Sequence, residues 1–203
     1  MKKFLTALLF IVIVIGGIFT GTTILSNSKG NNTPHSVLSI KTQKPAPTKY
    51  QQTAEIIGIP QHLSIPAINL DTTIEQVALD AKGNMDVPKT DHTVGWYKLG
   101  YKPGEKGNAV FAGHLDKADG SPAIFWKLSD LKPGNKIITT DLNNKSYTFT
   151  VTGLVKYPYD ALPLNEVFGN SDKANLNLIT CNGTWNNTTK NYSNRLVIYS
   201  ERD

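Results

Sequence analysis

Cys181 is the one cysteine in a chain of 203 residues, and it ends the run Asn177-Leu178-Ile179-Thr180-Cys181. The chain begins like an exported protein, and exported proteins pair their cysteines or do without them. An unpaired thiol in that setting is a candidate reactive group. Arg195 lies 14 positions downstream and opens the apolar run Leu196-Val197-Ile198-Tyr199. His114 lies 67 positions upstream, inside Phe111-Ala112-Gly113-His114-Leu115-Asp116. A thiol, an imidazole and a guanidinium, each beside a strand-like segment, are the parts of a cysteine acyl-transfer site. The thiolate is the nucleophile, but an ordinary thiol, with a pKa of about 8.5, is mostly protonated at neutral pH. A histidine can take that proton and later hand it to a leaving amine. The tetrahedral intermediate then needs preorganised donors for its oxyanion. The fixed charge and five N–H donors of Arg195 can supply them. Taken singly, each residue also has an ordinary reading: a packed cysteine, a core or surface histidine, a solvated arginine.

Charge and hydropathy divide the chain before any motif is weighed. Residues 1–54 hold six lysines and no acids, whereas residues 55–203 hold 15 Lys and Arg against 16 Asp and Glu. The net charge of +5 therefore belongs to the leading segment. The remainder carries no basic cluster of the kind a nucleic-acid-binding domain needs. After Met1-Lys2-Lys3, residues 4–25 run uncharged and mostly apolar. That length suffices to span a bilayer, and the two lysines place the N-terminus in the cytoplasm. A cleaved signal peptide is the rival reading, with a shorter apolar core and a small-x-small cleavage site. Residues 1–25 are thus expected to be a transmembrane anchor. Residues 26–54, rich in Ser, Asn, Thr, Lys and Pro, have the composition of a flexible extracellular linker. A folded domain follows over residues 55–203.

Within that domain short apolar, β-branched runs alternate with turn signals such as Lys102-Pro103-Gly104 and Lys132-Pro133-Gly134-Asn135. Strands are expected at 62–65, 73–78, 95–98, 109–112, 136–140, 146–156, 175–181 and 195–200. About eight short strands with turns every 8–15 residues predict a mostly-β barrel or sandwich. Ser121-Pro122 fits an N-cap and first helical position, so residues 121–131 are expected to form a short helix or turn. Residues 163–168 are a second possible helical turn. Trp96, Trp126 and Trp185 are expected in the core or a groove wall. Scattered histidines and a single cysteine do not make a metal site.

The wording around the three candidate residues resembles the sortase family. Leu178-Ile179-Thr180-Cys181, a downstream arginine leading the last strand, and Ala112-Gly113-His114-x-Asp116 carry the likeness. It extends through Ile65-Pro66-Ala67-Ile68, Asp86-Val87-Pro88, Val94-Gly95-Trp96-Tyr97 and residues 103–110 and 128–137, in the family's order, over roughly residues 60–200. Gly95-Trp96-Tyr97 and Pro122-Ala123-Ile124-Phe125 look most like class F. The resemblance implies a closed β-barrel and a membrane-tethered cysteine transpeptidase that needs no cofactor. Its partners would be secreted proteins carrying a C-terminal Leu-Pro-x-Thr-Gly-like sorting motif, cleaved between Thr and Gly. The acyl group would pass to an amine, typically of a cell-wall (peptidoglycan precursor) peptide. Cys181 matches the family's nucleophile, His114 its acid/base, Arg195 its arginine, and Thr180 a residue that helps hold substrate or oxyanion.

The chain departs from the class pattern after the cysteine. Asn182-Gly183-Thr184-Trp185-Asn186 stands where Gly-Gly-x-Phe-Asp is usual, and residues 182–194 read as an Asn/Thr-rich loop without an acid. Asp116 reads as a turn or cap residue or as one that orients His114. An L,D-transpeptidase would place Ser or His, any residue and Gly before the cysteine, with Arg two positions after it. Here Leu178-Ile179-Thr180 precede and Gly183 follows. Papain-like peptidases place the cysteine before the histidine, the reverse of this order. A non-catalytic surface β-domain is the alternative from another class, and it needs no accessible thiol.

Overall fold

The computed structural model describes residues 55–203. The expected anchor and linker lie outside the described residues. Among the described residues no helix is long and apolar enough to cross a membrane.

All eight expected strands form: β1 (Pro60–Ile65), β2 (Leu70–Val77), β3 (Val94–Tyr97), β4 (Gly107–Ala112), β5 (Lys136–Asp141), β6 (Ser146–Pro158), β7 (Ala174–Asn186) and β8 (Asn191–Arg202). They pair in the order β1-β2-β3-β4-β7-β8-β6-β5 and close into a barrel through β1 and β5. Two pairs are parallel, β2 with β3 and β4 with β7, and the rest are antiparallel. Alternation along each strand separates two apolar populations. Ala109, Phe111, Leu176, Leu178, Leu196 and Ile198 point into the barrel with Leu63, Ile65, Ile137 and Phe149. An eight-stranded barrel is just wide enough for such side chains to fill. The intervening Val110, Ile179 and Val197 form a second cluster on the outer face.

That outer cluster is roofed by α1 (Leu164–Phe168), where the sequence predicts a turn. The last carbonyls of a helix have no partner within it. Here the Asn177 side chain donates to Val167 O at 2.8 Å and that of Asn108 to Glu166 O at 3.0 Å. Both asparagines belong to the outward-facing rows, so the strands themselves hold the roof.

The helix expected over residues 121–131 is not formed. Only Leu128–Asp130 make a 3-10 turn. The N–H groups of Ala123, Ile124 and Phe125 donate instead to the carbonyls of Leu115, Asp91 and His114. Backbone that is spent on tying down the segment after β4 is unavailable for a helix. Ser121, expected as an N-cap, donates through N–H and hydroxyl to Asp119 in a local turn. Of the tryptophans, Trp96 is in the core with its indole N–H on Tyr101 O, whereas Trp126 and Trp185 are each 45% exposed.

Asp141 is 1% exposed and closes the far end of β5. Its carboxylate accepts from the N–H groups of Gly58, Asn143 and Lys145 and from the Tyr147 hydroxyl. Burial pushes this carboxyl up, but the N–H donors of Lys145, Asn143 and Gly58 outweigh it and hold it below the usual value. The same burial, with the Asp141 charge, pushes the Tyr147 phenol up to about 12. Replacing Asp141 by Ala orphans these donors and is expected to cost about 2–3 kcal/mol in urea unfolding at pH 7. A depressed carboxyl stabilises above its unfolded pKa of about 3.9 and loses that contribution as pH falls through the lower folded value. The stability gap between wild type and Asp141→Asn should therefore narrow in acid. A gap that widens would contradict this account.

Candidate active site

Register places the three candidate residues. Ala112 on β4 lies opposite Ile179 on β7, and Ile179 opposite Val197 on β8. β4 and β7 are parallel, so advancing two residues along both reaches His114 and Cys181. Across the antiparallel pair the partner of Cys181 is Arg195. Side chains two residues apart share a face. Cys181 and Arg195 therefore stand on the barrel's outer face, one row beyond Val110, Ile179 and Val197, and His114 ends the same row. Directly opposed residues bring their Cβ atoms to about 4.5–5.5 Å, which puts the Arg195 charge within reach of the thiol.

His114 follows the end of β4, and its position is over-determined. Gly113 N–H donates to Ile179 O at 3.1 Å, and the Thr180 hydroxyl donates to Gly113 O at 2.8 Å. Phe125 N–H donates to His114 O at 2.9 Å. A Cβ on Gly113 would come within 2.5 Å of the fully buried Phe125 ring, so glycine is required there. The ring is held as well: His114 Nε2 lies 2.9 Å from the carbonyl oxygen of Pro88. A carbonyl only accepts, so Nε2–H is the donor in this contact and Nδ1 is the nitrogen that remains for proton transfer. The loop bearing Pro88 is clasped by Glu75, which accepts from Lys89 N–H and the Thr93 hydroxyl.

The resemblance gives Thr180 a part in holding substrate or oxyanion. Its side chain is 3% exposed and its hydroxyl is taken by Gly113. The role this geometry gives the side chain is to fix the loop that carries His114.

The guanidinium of Arg195 is fixed by Asn191 Oδ1 at 2.8 Å and Asn194 O at 3.1 Å. Asn191 lies in the stretch read as loop from sequence. Residues 182–194 instead extend β7 and β8 into a hairpin, Asn182 pairing with Asn194 and Trp185 with Tyr192. A bulge at Gly183 (φ 88°) shifts the register, and a Cβ there would meet Ser193 Oγ at 2.2 Å. Tyr192 packs edge-on against Trp185 and donates its hydroxyl to Asp116. This hydrogen bond, with burial and the charges of Asp116 and Cys181, pushes the Tyr192 phenol up to about 12. Asp116 thereby ties the His114 loop to the start of β8. Neither Asn191 nor Tyr192 nor the Pro88 carbonyl was singled out from the sequence. The first two stood in a polar stretch without alternation, and a main-chain oxygen has no residue-type signature.

Cys181 is half-buried and unpaired. Burial pushes its thiol up, Arg195 pulls it down, and Asp116 adds to the rise; the net direction is upward. The shift favours the thiol over the thiolate, so a base is needed at the sulfur when it attacks.

The Sortase domain family model matches residues 63–203. The chain belongs to the sortase family. Sortases are cysteine transpeptidases, and the fold described above is theirs. Similar solved structures include the lid mutant of sortase A from Corynebacterium diphtheriae: 22% identity over 75% of this chain and 74% of that one, TM-score 0.56. Sortase C1 from Streptococcus agalactiae is 23% identical over 70% of this chain and 66% of that one, TM-score 0.55. Sortase A from Listeria monocytogenes is 20% identical over 72% and 88%, TM-score 0.54. These identities speak for the fold alone. No curated protein sequence matches the chain.

Two outcomes are expected from this geometry. Alkylation of Cys181 by iodoacetamide should accelerate only above the ordinary thiol range near pH ~8.5, with the inflection moved up in Arg195→Gln and down in Asp116→Asn. An inflection below pH 7 in the wild type would contradict it. Thr180→Val strips Gly113 O of its donor and should cost about 1–2 kcal/mol in denaturant unfolding; an unchanged midpoint would remove the clasp from the account.

Proposed function

We propose that this sortase cleaves a Leu-Pro-x-Thr-Gly-like sorting motif between Thr and Gly and transfers the acyl group to an amine. The observation that carries the reading is the shared row of His114, Cys181 and Arg195 beyond the apolar row of Val110, Ile179 and Val197. The outer apolar cluster is covered by α1, and its half-buried edge residues Tyr97 and Phe168 suit the apolar residues of the motif.

In the first step His114 Nδ1 takes the thiol proton and the sulfur attacks the Thr carbonyl carbon. The negative charge that develops on oxygen is met by the Arg195 guanidinium, preorganised by Asn191. The C–N bond to Gly breaks, and His114 returns the proton to the departing amine, leaving a thioester on Cys181. In the second step an amine attacks the thioester. A new C–N bond forms, the C–S bond breaks, and the amine's proton passes through His114 to the sulfur. The atoms balance, and no cofactor enters.

The setting is part of the proposal. Residues 1–25 anchor the chain in the cell membrane with the N-terminus cytoplasmic, residues 26–54 tether the domain, and residues 55–203 work outside. The partners are secreted proteins bearing the motif and a cell-wall peptide amine. Gly95-Trp96-Tyr97 and Pro122-Ala123-Ile124-Phe125 favour class F over the A and C types.

Cleavage of a quenched fluorogenic Leu-Pro-x-Thr-Gly peptide tests the reading. Cys181→Ala should abolish cleavage. His114→Ala should lower kcat/KM by about 10²–10⁴. Arg195→Lys should lower it strongly too, because an ammonium does not reproduce the guanidinium fork. An active Cys181→Ala protein would sink the assignment.

A further inference from the structure

His114 borders a second space besides the row it shares with Cys181. A polar cavity of about 400 Å³ is lined by Lys89, Thr90, Asp91, His114, Asp116 and Lys117. β4 lies between β3 and β7. Gly95 on β3 opposes Ala112 on β4. Continuing that antiparallel register past the strand ends sets residues 89–91 against residues 116–118. The Lys117–Asp91 approach of 3.9 Å is consistent with this. The cavity therefore opens on the β3 side of His114, while Cys181 stands on the β7 side.

We propose that this cavity receives the acceptor, and that it takes a short peptide carrying a free carboxylate as well as the amine. The inference rests on the acyl-transfer reading above. A thioester on Cys181 occupies the β7 side of His114 and leaves the β3 side for the second substrate. An incoming amine must lose a proton to His114, so its path has to pass the imidazole. The walls carry both signs of charge. Asp116, besides accepting from Tyr192, keeps carboxylate lone pairs for an ammonium. Lys117 is paired to Asp91 only loosely, and none of the ion pairs among the described residues involves Lys89. Two ammonium groups are thus at hand for a carboxylate. A lining of mixed sign favours a zwitterion over a polyanion or a bare amine.

The test compares triglycine with triglycinamide, which keeps the amine and lacks the carboxylate, as acceptors for a Leu-Pro-Ala-Thr-Gly donor on the full chain. Triglycine should show the lower acceptor KM by about fivefold, the size of one exposed ion pair. The double variant Lys89→Gln/Lys117→Gln should erase that preference. Equal KM values in the wild type, or a preference that survives in the variant, would overturn the proposal. A parallel NMR titration with triglycine does not depend on the donor peptide. Shifts confined to the amides around Lys89, His114 and Lys117 support the cavity, and their absence at millimolar triglycine overturns it. A chain that forms no thioester on Cys181 yet shows those shifts would refute the transpeptidase reading and leave the binding site standing.

Discussion

The site depends on one short piece of backbone, Gly113-His114, being pinned at the mouth of the barrel. Parallel pairing of β4 with β7 sets its height, since Gly113 N–H continues the ladder onto Ile179 O. Thr180 then locks the next carbonyl from inside, and the Phe125 ring closes over the place where a side chain would be. None of these contacts touches the outer face. They fix His114 from behind. Rigid supports of this kind are what near-attack geometry requires.

The barrel's two faces divide the labour. Inward-pointing residues of β4, β7 and β8 build the core, and their outward neighbours form the cluster under α1, with Cys181 and Arg195 in the next row. Burial pushes the Cys181 thiol up against the pull of Arg195. Arg195 is held by neutral asparagine groups rather than by a carboxylate. Its charge pulls the Cys181 thiol down while that of Asp116 pushes it up.

Eight strands were legible because β-branched runs with period-two alternation are interrupted by Pro-Gly and Asn-rich turns. The candidate residues stood out by type: one thiol, and a histidine and an arginine each adjoining a strand-like run. What escaped was structure held by main-chain hydrogen bonds alone. The β7–β8 hairpin past Cys181 has no apolar alternation, so Asn182 to Asn194 read as loop although it pairs almost to its tip. The helix expected from Ser121-Pro122 failed for a complementary reason. Local capping signals describe what a segment prefers by itself, and here Leu115, Asp91 and His114 compete for its N–H groups. Thr180 shows the same limit at a single side chain. The sequence placed it beside the nucleophile, but only the fold reveals that its hydroxyl faces Gly113.

The most direct test of the central claim is intact-mass spectrometry of the chain with a Leu-Pro-x-Thr-Gly peptide, quenched in acid and mapped by peptide digest. The account predicts an acyl adduct ending at the Thr carbonyl, carried on Cys181 and released as an amide when triglycine is added. A folded protein whose Cys181 forms no adduct with the peptide and resists alkylation even at high pH would contradict it. Cys181 would then be a packing residue, and the row it shares with His114 and Arg195 would have no role in acyl transfer.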